Sequence, residues 1–287
     1  MRLLRVLCLL LFASLTVAAG AKSITVPLRF YGTRPAVDVS VNGQGPFLFL
    51  VDTGAGGPAA RADVSLVKRL GLAKLGRTTS ADGGAAAVDI DEVTLPAVTL
   101  GGWTVRNVAA LSRDYGSTPY LPHLDGILGP AFFKGRLLTI DYERATLTIA
   151  DGELPGANGR TILNYELLGG NLWIPVSIGG LSAKAAFDTG NIRALDMPAD
   201  AVKPLRMASF PRLAGNSAGI SGSSEIREVT LAAPLRIGGH VIERPAVTFS
   251  EDFHEWNIGS ALLQEFVITI DQKNRRVRLI RASARPH

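Results

Sequence analysis

Apolar residues along this chain come in short runs, not in helical repeats. Residues 24–30, 36–41, 46–51, 88–95 and 137–149 alternate with polar positions or run apolar, the mark of strands with one or both faces buried. Helical signals are brief. Asp63 is placed to cap a helix over residues 64–70 that Gly71 closes, and residues 198–205 stand at a similar place further on. Single helical turns are expected at Ala131-Phe132-Phe133 and Ala261-Leu262-Leu263. With 31 glycines and 16 prolines supplying turns, the pattern predicts an all-β fold with a few short helices.

The first 21 residues stand apart. Arg2 and Arg5 precede an apolar stretch from Val6 to Val17 and then Ala19-Gly20-Ala21, the layout of a cleaved secretory signal. That stretch is short for a membrane span and no later segment reaches span length, so no stable span is expected once it is removed. The single cysteine, Cys8, lies within it, so the mature chain would rely on burial and sheet pairing instead of disulfides. Export without disulfides points to a bacterial periplasm or to secretion.

Hydrophobic residues make up 47% and charged residues 19%, which supports a sizeable core and excludes global disorder. Setting Arg2 and Arg5 aside leaves a net charge of +3, concentrated at Lys273, Arg275, Arg276, Arg278, Arg281 and Arg285. No aromatic residues interleave with these, so they are read as the solvated edge of a final strand and no nucleic-acid partner is expected.

The chemistry lies in a tripeptide that occurs twice. Asp52-Thr53-Gly54 follows Phe47-Leu48-Phe49-Leu50-Val51, and Asp188-Thr189-Gly190 follows Ala185-Ala186-Phe187. A carboxylate at the tip of a buried strand is costly unless something holds it there. Two that meet cannot both ionise, so one keeps its proton while the other is bare, and the pair can act as acid and base on one water molecule.

The surrounding text repeats as well. Val39-Ser40-Val41-Asn42-Gly43 matches Val176-Ser177-Ile178-Gly179-Gly180, and Glu92-Val93-Thr94-Leu95 matches Glu228-Val229-Thr230-Leu231. Leu100-Gly101-Gly102 matches Ile237-Gly238-Gly239, Ile127-Leu128-Gly129 matches Asn257-Ile258-Gly259, and Thr139-Ile140-Asp141 matches Thr269-Ile270-Asp271. Two lobes about a pseudo-two-fold axis explain this. The expected division is a signal at 1–21, a first lobe at 22–150, a turn-rich linker at 151–159 and a second lobe at 160–287.

Each half resembles the aspartic peptidase lobe of pepsin-like enzymes and retroviral proteases: an apolar strand ending in Asp-Thr-Gly, a Gly-rich hairpin, then two apolar residues and Gly before a short helix and a strand. Asp125-Gly126-Ile127-Leu128-Gly129 is especially similar to the close of the pepsin-like first lobe. The resemblance runs from about Ser23 to Ile280 and suggests a bacterial, two-lobed, retropepsin-like protein with closed, barrel-like sheets and a cleft between lobes. It implies that Asp52 and Asp188 are the catalytic dyad. Thr53 and Thr189 would bond across the lobe interface, and Gly54 and Gly190 would let backbone approach the carboxylates. Asp82, Gly83 and Gly84 would form the flap over a peptide or protein substrate. A monomer with no cofactor and no metal is expected. The alternative on the same fold is a catalytically silent protein that binds a peptide or glycan.

Departures from the family pattern matter. Ala55 and Asn191 stand where pepsin-like enzymes carry Ser or Thr, so Asp52 lacks a hydroxyl donor and a less acidic optimum than pepsin's is expected. The flap region has no tyrosine, and Tyr115 and Tyr120 are read as structural. Gly215-Asn216-Ser217-Ala218-Gly219 fits a serine-hydrolase elbow, with Asp252 and His254 after it, but the flanking residues lack the strand-then-helix context. His123, His240, His254 and His287 have no ligand spacing.

Overall fold

The apolar runs become strands, and the strands join in three sheets. The computed structural model describes residues 23–80, 88–115, 124–219 and 222–282. The first half contributes β1 (Ser23–Pro27), β2 (Arg29–Tyr31), β3 (Arg34–Val41), β4 (Gln44–Val51), β5 (Ala60–Asp63) and β6 (Lys74–Ser80). It continues with β7 (Val88–Leu100), β8 (Trp103–Arg113), β9 (Gly126–Leu128), β10 (Leu137–Asp141) and β11 (Thr146–Ala150). The second half contributes β12 (Ile162–Asn164), β13 (Glu166–Leu168), β14 (Asn171–Ile178), β15 (Leu181–Asp188), β16 (Leu195–Pro198) and β17 (Arg212–Gly219). It ends with β18 (Gly222–Thr230), β19 (Leu235–Ile237), β20 (His240–Ile242), β21 (Ala246–Ser250), β22 (Trp256–Gly259), β23 (Phe266–Asp271) and β24 (Arg276–Arg281). Helix is confined to α1 (Val64–Arg69), α2 (Ala199–Val202), α3 (Ser260–Leu263) and a 3-10 turn at Pro130–Phe133. No helix among the described residues is long and apolar enough to cross a membrane. Asp63 does cap α1, its Oδ1 accepting the Ser65 N–H at 2.8 Å.

The first sheet runs β2-β3-β4-β9-β5-β8-β7-β6, and a further pairing of β3 with β7 closes it on itself. The second runs β17-β18-β21-β16-β22-β15-β14-β19-β20, with β13 added to β14. Matched as β3/β14, β4/β15, β9/β22, β5/β16 and β8/β21, the two share order and direction. β4·β9 and β15·β22 are parallel, β5·β8 and β16·β21 are parallel, and β5·β9 and β16·β22 are antiparallel. The second half breaks the counterpart of β7 into β18 and β19, and β19 makes the closing pair with β14. Both halves turn their first long hairpin on residues in the left-handed region: Asn42 and Gly43 at φ 50 and 77, Gly179 and Gly180 at φ 55 and 88. β4 and β15 are central strands with neighbours on either side, so their C-terminal residues are buried and read as continuous apolar runs.

The third sheet takes three strands from each half, in the order β1-β11-β10-β23-β24-β12. At its centre β10 pairs antiparallel with β23, with Thr139 directly opposite Thr269 and their hydroxyls 3.0 Å apart. These two threonines occupy equivalent places in the repeat, so the pseudo-two-fold axis passes between them. Phe49, Phe133, Phe187 and Phe266 are fully buried. Each such side chain contributes about 1.5–3 kcal/mol by leaving water.

Two sequence expectations need correction. Residues 24–30 are not one strand: Leu28 breaks the run, its N–H going to Ala145 O at 2.8 Å, so β1 joins the shared sheet and β2 the first barrel. The final strand is not a solvated edge either. β24 lies between β23 and β12, and its arginines are held: Arg276 Nη1 donates to Leu154 O at 2.9 Å and Arg278 Nη2 to Thr269 Oγ1 at 3.1 Å. Alternation predicted a polar face correctly, but no local pattern announces that β12 from the same half will cover it. Between β11 and β12, residues 151–161 form neither strand nor helix, and Leu154 there is buried with its N–H on Asp271 Oδ2 at 2.9 Å.

Candidate active site

Asp52 follows directly on β4 and Asp188 is the last residue of β15, so each barrel delivers one carboxyl from the end of a buried strand. The two Asp-Thr-Gly turns then interlock. Thr53 N–H donates to Thr189 Oγ1 and Thr189 N–H to Thr53 Oγ1, both at 3.0 Å. The hydroxyls pass their own protons on, Thr53 Oγ1 to Phe187 O and Thr189 Oγ1 to Val51 O, both at 2.6 Å. Thr53 and Thr189 are 2% and 0% exposed, so these four bonds satisfy groups that water does not reach.

Glycine is required next to them by close approach. A Cβ on Gly54 would stand 2.4 Å from Asp188 Cγ, and one on Gly190 would stand 2.3 Å from Asp52 Cγ. Each turn therefore lies against the other half's carboxyl, and the two acids face one another across the axis.

Their surroundings differ. Asp52 Oδ1 accepts the Gly54 N–H at 2.8 Å. Asp188 Oδ1 accepts the Gly190 and Asn191 N–H groups at 2.9 and 3.0 Å, and its Oδ2 accepts Asn257 Nδ2 at 2.9 Å. The position equivalent to Asn257 holds Ile127: Asn257 pairs with Ala186 on β15, and Ile127 pairs with Leu50 on β4. Burial, and then the neighbouring Asp188 charge, push Asp52 up from 3.8 to about 8, against the opposing pull of the Gly54 N–H and the Arg61 charge. One proton shared by the pair therefore belongs on Asp52, while three donors converge on the Asp188 carboxyl.

The dyad forms the floor of a cleft of about 780 Å³. Arg34, Arg61 and Tyr115 line it from the first half, and Arg193, Phe253, His254 and Asn257 from the second. Each half also braces the other's loop. Gly56 N–H donates to Asn171 Oδ1 at 2.7 Å, and Thr33 Oγ1 meets Ser260 Oγ at 2.7 Å and Ile192 O at 3.4 Å. Asp196 is tied down by Arg193, Nε and Nη2 each at 2.6 Å, and by Asn191 Nδ2 at 2.9 Å.

Of the residues singled out by sequence, Asp52, Thr53, Gly54, Asp188, Thr189 and Gly190 come together at one point. Asp82, Gly83 and Gly84, the expected flap, lie outside the described residues; β6 and β7 pair as far as Ser80 opposite Val88. Tyr120 also lies outside them, whereas Tyr115 is buried and faces the cleft, packed with Leu50, Ala55 and Ile127. Ser217 sits within β17, opposite Ser224 of β18, with no helix after it, so the elbow context is absent. Asn257, Arg61, Arg34 and Asn171 were not singled out. For Asn257 there was a signal: an amide between Trp256 and Ile258 in an apolar strand asks for a buried partner.

Residues 37–132 match the family model described as aspartyl protease, a span that includes Asp52-Thr53-Gly54 and about one third of the chain. No curated protein matches the chain.

Proposed function

We propose that this chain is an aspartic endopeptidase in which Asp52 and Asp188 activate water. The observation that carries the reading is the reciprocal placement of two chemically unequal carboxyls on the floor of one cleft, each pressed by the other half's glycine. Asp188, surrounded by three N–H donors, takes a proton from the water, whose oxygen attacks the scissile carbonyl carbon. The Asp52 proton passes to the carbonyl oxygen, giving a neutral tetrahedral diol. Collapse of the diol breaks the C–N bond as a proton moves to the departing nitrogen, and a proton returns to the pair. No covalent enzyme intermediate forms.

The one-third family match supports the first half of this reading, and the repeated topology extends it to the second. Residues 1–21 are read as an export signal, and N-terminal sequencing of the chain recovered from a cell envelope fraction tests that. The activity test is digestion of a diverse peptide pool across pH 3 to 8, read by mass spectrometry, beside Asp52→Asn and Asp188→Asn. Cleavage that disappears in both variants is the expected result. Cleavage that survives in either would place the chemistry elsewhere, and a folded chain that binds peptides without cutting them would be a silent member of the fold.

A further inference from the structure

Arg61 is a buried cation that makes no hydrogen bond to either acid of the dyad among the described residues. It is 8% exposed, lines the cleft, and gives Nη2 to Gly56 O at 3.1 Å, while Nη1 has no hydrogen-bond partner among the described residues. A buried guanidinium with an unpaired donor is costly unless an anion completes it.

The repeat shows how unusual this is. Arg61 stands opposite Ile127 in the β5·β9 register, and Asp196 stands opposite Asn257 in the matching β16·β22 register. The second half thus has an acid at the equivalent place, and it neutralises that acid with the Arg193 fork and the Asn191 amide. No carboxylate makes an ion pair with Arg61 among the described residues. Asp52 feels the Arg61 charge, but burial keeps its proton on it into the neutral range, and its Oδ1 is taken by the Gly54 N–H. Arg34 adds a second guanidinium to the same cleft, with its Nε on Tyr31 O at 3.2 Å and its plane over the Tyr31 ring.

We infer that Arg61 is a specificity residue that receives the carboxylate of an Asp or Glu side chain of the substrate, in the subsite on the Asp52 side of the cleft. This deepens the peptidase reading above and rests on the cleft being where peptide binds. A carboxylate accepts two parallel N–H bonds from a guanidinium, and the Gln or Asn analogue has no charge with which to do so. Arg34 raises the positive potential that an acidic residue meets as it enters.

The test uses the full chain and a peptide library with amidated C-termini, so that only side chains can supply a carboxylate. The expected result is enrichment of Asp and Glu at one position beside the cut, with a Glu substrate exceeding its Gln twin by about tenfold or more in kcat/KM. In Arg61→Met that ratio falls to about one, and in Arg61→Lys it is intermediate. Cleavage without preference for acids, or a preference that persists in Arg61→Met, overturns the inference and leaves the peptidase reading standing. If nothing is cleaved, the library is passed over immobilised chain instead. Retention of acidic peptides by the wild type but not by Arg61→Met upholds the inference and defeats the peptidase reading; retention that ignores acidity overturns the inference.

Discussion

Thr53 and Thr189 each donate a backbone N–H to the other's hydroxyl at 3.0 Å, so the two halves are clasped at the residues next to the acids. Removing one hydroxyl leaves two buried backbone groups, one N–H and one C=O, without partners. Thr53→Ala should therefore cost about 2–4 kcal/mol in denaturant unfolding, while Thr53→Ser, which keeps the bonds, should stay within about 1 kcal/mol of the wild type. Equal losses in both would mean that the methyl group, not the clasp, carries the stability.

Gly54→Ala and Gly190→Ala force a carbon to within 2.4 and 2.3 Å of the opposing carboxyl carbon, closer than packing permits. The carboxyls must separate, and a displacement near 1 Å at reacting groups costs about 100-fold in rate. The expected outcome is a fall in kcat of that order in a chain with unchanged far-ultraviolet circular dichroism.

Stability should fall as pH rises through the range set by Asp52. From its ordinary value of 3.8 up to about 8, the folded chain holds a proton that the unfolded chain has released. Raising the pH across that window therefore favours unfolding, by on the order of a few kcal/mol, and Asp52→Asn removes the effect. Melting temperatures of both proteins at pH 5 and pH 8 measure it: the wild type should drop relative to the variant. In the proposed reaction the same proton is transferred, so activity should persist at neutral pH and decline as pH passes about 8.

Asn257 touches no reacting atom of the substrate in this scheme and acts through Asp188, which makes it a positioning residue. Asn257→Leu copies the situation of Ile127 in the other half and removes a donor to a carboxylate, an interaction worth about 1.5–3 kcal/mol. The acid limb of the pH–rate profile should move upward and kcat should fall by about tenfold or more. A uniform loss at every pH would assign Asn257 a packing role only.

Much of the site was legible because it rests on local chemistry written twice. A carboxyl after an apolar run, a glycine two residues on, and the spacing to the next apolar-apolar-Gly segment are all short-range features. Asp63 was legible for the same reason, since a helix cap depends on the residues beside it. What was hidden is set by contacts across strands. Asn257 and Ile127 sit in nearly the same motif, and only the fold shows that one donates to a carboxylate while the other packs with Leu50, Ala55 and Tyr115. Arg61 reads as one polar residue between two alanines until β9 and the cleft are placed beside it. The shared sheet was hidden most completely, because β1, β12 and β24 carry no mark of which sheet they will join.

The inequality at Ile127 and Asn257 bears on why the two halves are one chain. An assembly of two copies of a single half would be isologous, with both acids in the same environment, and the shared proton would have no preferred owner until substrate arrived. Fusion lifts that constraint. Each half can then specialise, and in the proposed reaction one holds the proton and the other accepts one, so the direction of proton flow is inherited with the sequence instead of being decided anew at every turnover.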